Sequence, residues 1–153
     1  MPLAKNDIIT LEITALTNEG SGVGHYKEDS SDGRGMAVFV PLTAVGDVIS
    51  CRVVKVLRSY AYGRVEGILT ASPDRAEDGC PVYAKCGGCC FRHISYEAEL
   101  RAKQGFVQDA FMRLGGLSPE FLPIQGSESP EGYRNKLQMP VSKQDGRTVC
   151  GFY

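Results

Sequence analysis

Short apolar runs separated by turn-forming residues fill the first seventy residues, and this pattern constrains the fold more than any other feature. Ile9, Leu11 and Ile13 alternate with polar residues, which is the period of a strand with one buried face. Further runs of strand-forming residues follow at 37–40, 48–57 and 62–69. The glycine-rich segment 19–24 and the polar segment 27–35 are predicted to be turns, the second at a hairpin tip. We expect five strands closed into a barrel of OB or SH3-like size, because closure leaves no exposed strand edge.

The charge balance narrows the function classes before any motif is considered. The 153 residues carry 17 Lys and Arg against 18 Asp and Glu, a formal net charge of -1. This balance excludes a histone-like basic wrapper and an acidic disordered tail. No apolar run approaches the roughly 20 residues of a membrane-spanning helix, and the first residues lack the apolar core of a signal peptide. The composition therefore predicts a monomeric cytoplasmic protein that does not enter a membrane.

Three segments are predicted in a chain that is mainly β with one long helix. The barrel is assigned to residues 1–75, and a cysteine loop with its helix to residues 76–116. Residues 117–153 are assigned to a linker and the start of a second β region that is truncated here. In that last segment we expect strands at residues 133–141 and 148–153.

The long helix is predicted from about Tyr96 to Leu114, where Gly115 and Gly116 end it. Its apolar residues recur at helical spacing and should form one buried face: Tyr96, Leu100, Val107, Phe111 and Leu114.

The cysteine loop carries the strongest chemical signal. Cys80, Cys86 and Cys89 follow the spacing C-x5-C-x2-C, with glycines at 87 and 88 that let the backbone fold tightly around a bound group. Clustered cysteines without a signal peptide more often bind a metal than form disulfides. The spacing favours a [4Fe-4S] cluster held by these three thiolates. Zinc, which usually takes a second C-x2-C pair, and metal-free thiols are the alternatives.

The fourth cluster ligand is left open by the residues themselves. Cys90 adjoins Cys89 and should point away from it, and Cys51 alternates with barrel-core residues. Cys150 is either a ligand or a small buried apolar residue. His93 either supplies a ring nitrogen or only a hydrogen bond, and a ligand beyond Tyr153 is the remaining possibility.

A basic, aromatic stretch lies within the predicted barrel. Between Ile49 and Val65 there are four basic residues, no acidic residue and two tyrosines: Arg52, Lys55, Arg58, Arg64, Tyr60 and Tyr62. Cations for phosphates and rings for unpaired bases are what binding of single-stranded RNA requires. The alternative is a solvated strand face. Arg134 and Lys136, beside Tyr133, form a second patch with the same two interpretations.

The order of these features resembles the bacterial RNA (uracil-5-)-methyltransferases. The first segment is similar to a TRAM domain in four motifs: residues 19–24, 38–41, 46–48 and 72–75. Cys80 to Cys89 followed by His93 is similar to the cluster motif of the iron–sulfur members of the family, which act on 23S rRNA. Residues 133–136 and 151–153 resemble the start of the family's central β region.

The resemblance implies an S-adenosylmethionine-dependent 23S rRNA (uracil-5-)-methyltransferase of which this chain is the N-terminal, RNA-binding and cluster-binding part. It implies that the fourth cluster ligand, the S-adenosylmethionine domain and the catalytic cysteine lie beyond Tyr153. The 153 residues alone are then expected to be inactive as an enzyme. It further implies that the barrel and residues 133–136 bind the RNA.

Three other functions fit parts of the sequence. A free-standing RNA-binding module with a zinc knuckle would use the same barrel and cysteines without a catalytic partner. A radical S-adenosylmethionine methylthiotransferase also combines a TRAM domain with a cluster, but its cysteines follow C-x3-C-x2-C and its TRAM domain is at the other end. A redox switch would form reversible disulfides instead of binding iron.

Overall fold

The computed structural model describes residues 3–27, 35–77 and 79–151. The hairpin tip predicted within 27–35 therefore lies almost entirely outside the described residues. Two compact units are present. The barrel unit contains the residues up to Glu77 together with His93–Ser95, and the second unit contains the stretch up to Arg92 and everything from Tyr96 onward.

Five strands close into the predicted barrel. Their bounds are β1 Ile8–Leu16, β2 Gly22–Tyr26, β3 Met36–Val40, β4 Val48–Val56 and β5 Tyr60–Thr70. The order around the barrel is β1-β2-β3-β5-β4, with β3 and β5 parallel and the other pairs antiparallel. This is the arrangement of a closed OB-like barrel, so the predicted fold class is confirmed.

The barrel core is formed by the inward-facing side chains of β1, β3, β4 and β5. The most buried apolar residues are Ile9, Leu11, Ile13, Val38, Val40, Ile49, Cys51, Val53 and Ala61. Alternation places them on one side of each strand because successive side chains point to opposite faces. Cys51 is fully buried among them, as predicted, and burial raises the pKa of its thiol to about 11. It is therefore a packed core residue and stays protonated at neutral pH.

Part of the predicted glycine-rich turn is a strand instead. The turn is confined to residues 18–20, and β2 already begins at Gly22. A Cβ on Gly24 would lie 2.5 Å from the Glu12 carbonyl oxygen and 2.5 Å from Leu11 Cγ. The inward positions of β2 accept only glycine because β1 passes this close.

A buried carboxylate joins the chain after β5 to the turn before β4. Asp47 is fully buried and accepts N–H bonds from Ala44 at 2.6 Å and Ser72 at 2.9 Å. The Arg75 guanidinium donates to both Asp47 oxygens at 2.8 Å. Burial alone would raise the pKa of Asp47, but these hydrogen bonds and the Arg75 charge hold it below its ordinary value. Two motifs 25 or more positions apart are therefore one structural unit.

The segment His93–Ser95 returns to the barrel unit after the cysteine loop. Arg75 and Ile94 form an antiparallel bridge, Ala76 N–H donates to the His93 carbonyl at 3.1 Å, and Ser95 N–H donates to the Asp74 carbonyl at 2.8 Å. The cysteine loop thus leaves the barrel unit and rejoins it at adjacent points.

The second unit contains two helices and a hairpin. Helix α1 spans Tyr83–Cys86, α2 spans Tyr96–Gly115, and the hairpin strands are β6 Val141–Gln144 and β7 Arg147–Cys150. The prediction of α2 is confirmed, whereas α1 was not predicted. The strand expected over residues 133–141 is wrong: residues 133–140 are irregular and β6 begins after Pro140. Pro140 has no N–H to donate to a strand ladder, which ends regular pairing there.

The predicted apolar face of α2 is buried only at its beginning. Tyr96 and Leu100 are half-buried, and a Cβ on Gly126 would lie 3.0 Å from Leu100. Val107, Phe111 and Leu114 are 50%, 42% and 89% exposed. The expectation of one continuous buried face is therefore wrong: these three side chains stay largely exposed, although the ring of Phe121 in the linker lies 5.5 Å from that of Phe111. No helix in the described ranges is both long and apolar enough to span a membrane.

Candidate nucleic-acid interface and cysteine loop

Three aromatic side chains meet on the outer surface of the barrel, and we call Phe39, Tyr60 and Tyr62 the aromatic cluster. Phe39 lies opposite Tyr62 in the parallel pairing of β3 with β5. Ring centroids are 5.5 Å apart for Phe39–Tyr60 and for Tyr60–Tyr62, and 5.9 Å apart for Phe39–Tyr62. Val38 and Ala61 beside them are fully buried, so strand alternation turns the rings outward. Tyr62 is 44% exposed, which leaves part of its ring accessible to a planar ligand.

Two of the predicted cations flank the aromatic cluster. Lys55 is the register partner of Tyr62 across the β4–β5 pair, and its side chain is exposed. Residues opposite each other on neighbouring strands share a face of the sheet, so the ammonium group and the ring lie on the same surface. Arg58 is exposed in the turn that joins β4 to β5.

The two other cations of this stretch, Arg52 and Arg64, form ion pairs with Glu66, which was not among the predicted site residues. Arg52 lies opposite Arg64 in the β4–β5 pairing. Glu66 Oε1 accepts from Arg52 Nε at 2.7 Å and from Arg64 Nε at 3.0 Å, and Oε2 accepts from Arg52 Nη2 at 3.3 Å. Hydrogen bonding by Arg52 is the main reason that the pKa of Glu66 lies below its ordinary value.

The structure therefore brings six predicted residues together, and the other two belong to the second unit. Arg52, Lys55, Arg58, Tyr60, Tyr62 and Arg64 all lie on β4, β5 or the turn between them. Phe39 was missed because its contact with β5 comes from a non-local parallel pairing. The only sequence signal for it was an aromatic residue in the outward phase of the run 38–40.

Arg134 and Lys136 belong to the second unit. The Arg134 guanidinium carbon lies 5.9 Å from the centroid of the Tyr133 ring, within the range of a cation–π contact. Arg134 and Lys136 line a surface pocket with Leu137 and Gln138. This patch therefore combines an aromatic ring with two cations, the combination seen in the sequence, and it belongs to the second unit.

The cysteine loop is built on a single helical turn. Tyr83 N–H donates to the Cys80 carbonyl at 3.1 Å, and Cys86 N–H donates to the Val82 carbonyl at 2.8 Å. Gly87 follows α1 in the left-handed region, with φ of 64°, and ends it. Cys80 and Cys86 are half-buried, Cys89 is exposed, and none of the three forms a disulfide.

The cysteines of the loop suit a metal or cluster in residue type but not in the arrangement of their side chains. Three cysteines in one short loop with adjacent glycines are donors of the right kind. Within residues 3–27, 35–77 and 79–151, however, no three His, Cys, Asp or Glu side chains converge as ligands of one ion. The assignment of Cys80, Cys86 and Cys89 as ligands thus rests on their type and spacing.

The other ligand candidates occupy different settings. His93 is buried in the barrel unit, where its Nε2–H donates to the Thr43 carbonyl at 3.0 Å, a hydrogen bond of the kind expected in the second interpretation. Burial is the main reason that the pKa of His93 lies below its ordinary value. Cys150 is exposed on β7, so the interpretation as a small buried residue is wrong: the described hairpin has no buried face. Cys90 is exposed, and its carbonyl accepts from the Tyr83 hydroxyl at 3.4 Å.

The class of the barrel follows from a comparison with known families. Residues 3–65 match the family model of the TRAM domain, which covers the five strands up to the middle of β5. The compact unit described above continues beyond this match to Glu77 and includes His93–Ser95.

Almost the entire chain is similar to proteins named RNA methyltransferase. One from Halalkalibacterium halodurans is 42% identical over 153 residues, which cover 99% of this chain and 32% of the relative. One from Clostridium tetani is 37% identical over 153 residues, covering 100% of this chain and 32% of that relative. The chain is thus similar to these RNA methyltransferases over almost its whole length and spans about a third of theirs.

A solved structure shares the fold. The Pyrococcus abyssi tRNA (uracil-54, C5)-methyltransferase, crystallised with S-adenosyl-L-homocysteine, superposes with a TM-score of 0.52 at 23% identity. The match covers 93% of this chain and 28% of that one. At this identity the likeness shows the fold of the chain.

Proposed function

We propose that this chain is the RNA-binding part of an S-adenosylmethionine-dependent RNA (uracil-5-)-methyltransferase that acts on 23S rRNA. Residues 1–75 bind unpaired nucleotides, 76–116 hold an iron–sulfur cluster, and 117–153 begin the region that continues in the longer relatives. One observation supports the RNA-binding step above all: the half-exposed Tyr62 ring, set in the aromatic cluster and directly opposite Lys55.

On this barrel surface the aromatic rings bind the bases and the cations bind the backbone phosphates. Stacking of a base on an aromatic ring is worth about 1–3 kcal/mol and tolerates any base, because every base has a π face. A tilted contact with Phe39 and an edge-on contact with Tyr60 fix the orientation of the Tyr62 ring before the RNA arrives. Lys55 and Arg58 then meet the backbone phosphates on either side of the stacked base.

The test measures binding of the full chain to a fluorescent 12-nucleotide oligouridylate. Tyr62→Ala should weaken binding by about 5-fold to 100-fold, the equivalent of the lost stacking energy. Tyr62→Phe should bind nearly as the wild type does, because the ring remains. Leu69→Ala is the matched control, since Leu69 lies on the same strand and is 60% exposed. Equal affinities of the wild type and Tyr62→Ala would refute the interface.

The second patch is proposed to contact the RNA backbone. Arg134 and Lys136 present two cations beside Tyr133, which is 72% exposed. Lys136→Ala should weaken binding modestly and lower the salt dependence, as the loss of one phosphate contact does. If the salt dependence is unchanged, this patch lies outside the RNA interface.

The cluster proposal assigns Cys80, Cys86 and Cys89 as thiolate ligands, with a fourth ligand from beyond Tyr153. When bound, the cluster would tie the loop into one rigid turn. Anaerobic reconstitution of the full-length protein should give stoichiometric iron and sulfide, and Cys86→Ser should lose both. Cys90→Ser is the control in the same loop. Stoichiometric zinc without iron would instead support the alternative, a zinc knuckle attached to an RNA-binding module.

The transfer of the methyl group is assigned to residues that this chain does not cover. The donor, S-adenosylmethionine, is the one that the family resemblance implies. With labelled donor and 23S rRNA, the full-length protein should incorporate methyl groups at uracil C5, whereas the 153 residues should bind RNA without turnover. Turnover by the 153 residues alone would overturn this assignment.

A further inference from the structure

Two arginines face each other across the β4–β5 pair and share one carboxylate. Arg52 and Arg64 are register partners, and Glu66 Oε1 lies 2.7 Å from Arg52 Nε and 3.0 Å from both Arg64 Nε and Arg64 Nη2. The side chains of Arg52, Glu66 and Arg64 are 35%, 29% and 65% exposed. All three therefore lie at the surface, within reach of a ligand in solvent.

Like charges directly opposite each other destabilise a strand pair, and Glu66 relieves this repulsion. The three side chains together carry a charge of about +1, although two guanidinium groups are present. A carboxylate and a phosphate present similar oxygen pairs to the planar guanidinium fork. The position of Glu66 is thus one that a backbone phosphate would take if it approached the same two arginines.

The ion pairs adjoin the surface on which RNA is proposed to bind. Tyr62 and Arg64 are two residues apart on β5 and therefore about 7 Å apart along the outward face. A base stacked on Tyr62 brings its neighbouring phosphates close to Arg64. A phosphate at that position meets two guanidinium groups, each of which already donates a hydrogen bond to Glu66.

We propose that Glu66 is a built-in competitor of RNA, which takes the place of a backbone phosphate on Arg52 and Arg64 and so limits the affinity of the barrel. This inference rests on the proposed RNA-binding function. In the free protein Glu66 prevents repulsion between the arginines, and in the complex a phosphate replaces it on one or both of them. The barrel then releases RNA more readily than its number of cations would suggest.

The experiment compares Glu66→Gln with Glu12→Gln in the full chain, using the 12-nucleotide oligouridylate over a range of salt concentrations. Glu12 is an exposed carboxylate on β1, four positions from Ile8, which lies opposite Arg52. Each variant removes one negative charge, so the two change the net charge equally. Glu66→Gln should bind about 5-fold to 10-fold tighter at 50 mM salt and steepen the slope of log K against log salt by about 0.7, the value for one added phosphate contact. Glu12→Gln should change both quantities far less.

A second variant guards against loss of folding in Glu66→Gln. Glu66→Asp keeps the charge that separates the arginines but withdraws the carboxylate by one methylene. It should fold like the wild type and bind RNA more tightly, by a smaller factor than Glu66→Gln. Thermal unfolding of each variant verifies that the barrel is intact.

The outcomes separate this inference from the proposed function. If the wild type binds, Tyr62→Ala binds weakly, and Glu66→Gln matches Glu12→Gln or binds less well, then Glu66 orients the arginines for RNA and the competitor role is wrong. If Tyr62→Ala binds as tightly as the wild type, the proposed interface itself is wrong.

Discussion

The barrel unit and the second unit treat their apolar side chains differently. In the barrel unit, Leu11, Ile13 and Ile49 are at most 2% exposed. In the second unit, Leu114 and Leu122 are 89% and 85% exposed. The barrel strands share one core, to which they contribute their inward-facing side chains, whereas the backbone hydrogen bonds of α2 lie within the helix itself. Regular secondary structure in this chain is therefore a poor guide to where its stability resides.

The largest contrast is expected when the same truncation is made in each unit. Leu11→Ala should lower the free energy of unfolding by about 2–5 kcal/mol, because it leaves a cavity in the barrel core. Leu114→Ala removes a side chain that is already solvated and should change it by less than about 0.5 kcal/mol. Urea unfolding followed by circular dichroism measures both. Similar losses for the two variants would mean that the units differ less than their burial suggests.

A smaller effect is expected at the buried carboxylate that secures the end of the barrel unit. Asp47→Asn weakens the charge-assisted bonds with Arg75 and should cost about 1.5–3 kcal/mol near pH 7. Because the folded-state pKa of Asp47 is lowered, its contribution is complete above the unfolded value of about 3.9 and is lost as the pH falls through the folded value. The difference between wild type and variant should therefore shrink at acid pH. Thermal unfolding at pH 7 and pH 3 provides the comparison, and a difference that grows in acid would contradict it.

The smallest effect is expected at His93, which lies in the segment His93–Ser95 of the barrel unit. Its folded-state pKa is lowered by burial and by the nearby Arg75 charge, against the opposing influence of the Thr43 carbonyl and Asp47. The unfolded chain therefore binds a proton more readily, and this contribution to stability is complete above about pH 6.5 and declines as the pH falls below it. His93→Gln keeps an N–H donor without a titrating group and should show a flatter stability profile between pH 7.5 and pH 5.5. Parallel profiles for the two proteins would argue against a buried neutral His93.

Prediction from sequence succeeded where the deciding interactions are local in pattern. The alternation of Ile9, Leu11 and Ile13 predicts a half-buried strand, and the structure confirms it. The α2 bounds follow from spacing and from the glycines at its end. The turn predicted over residues 19–24 is wrong for Gly22–Gly24, which begin β2: glycine usually marks turns, whereas Gly24 marks the close approach of β1.

The candidate site shows the same division. Tyr60, Tyr62 and Lys55 were identified because their residue types and order in the chain indicate RNA binding. Glu66 was overlooked because the basic stretch was considered to end at Val65, one residue before it. Its importance comes from the β4–β5 register, which places Arg52 opposite Arg64 and brings both within reach of Glu66. Such a register depends on the bulges in β4 and β5, which no local pattern shows.

Strand period, the long helix, the cysteine spacing and the cations and rings of the basic stretch could all be derived from the amino-acid sequence, since each depends on residue type and distance along the chain. Which of these groups lie together became clear in the folded chain. The β3–β5 pairing brings Phe39 to Tyr62, the chain after β5 returns Arg75 to Asp47, and the β4–β5 register places Glu66 between two arginines. These contacts depend on strand order and register, and both are set by how the entire barrel packs its core.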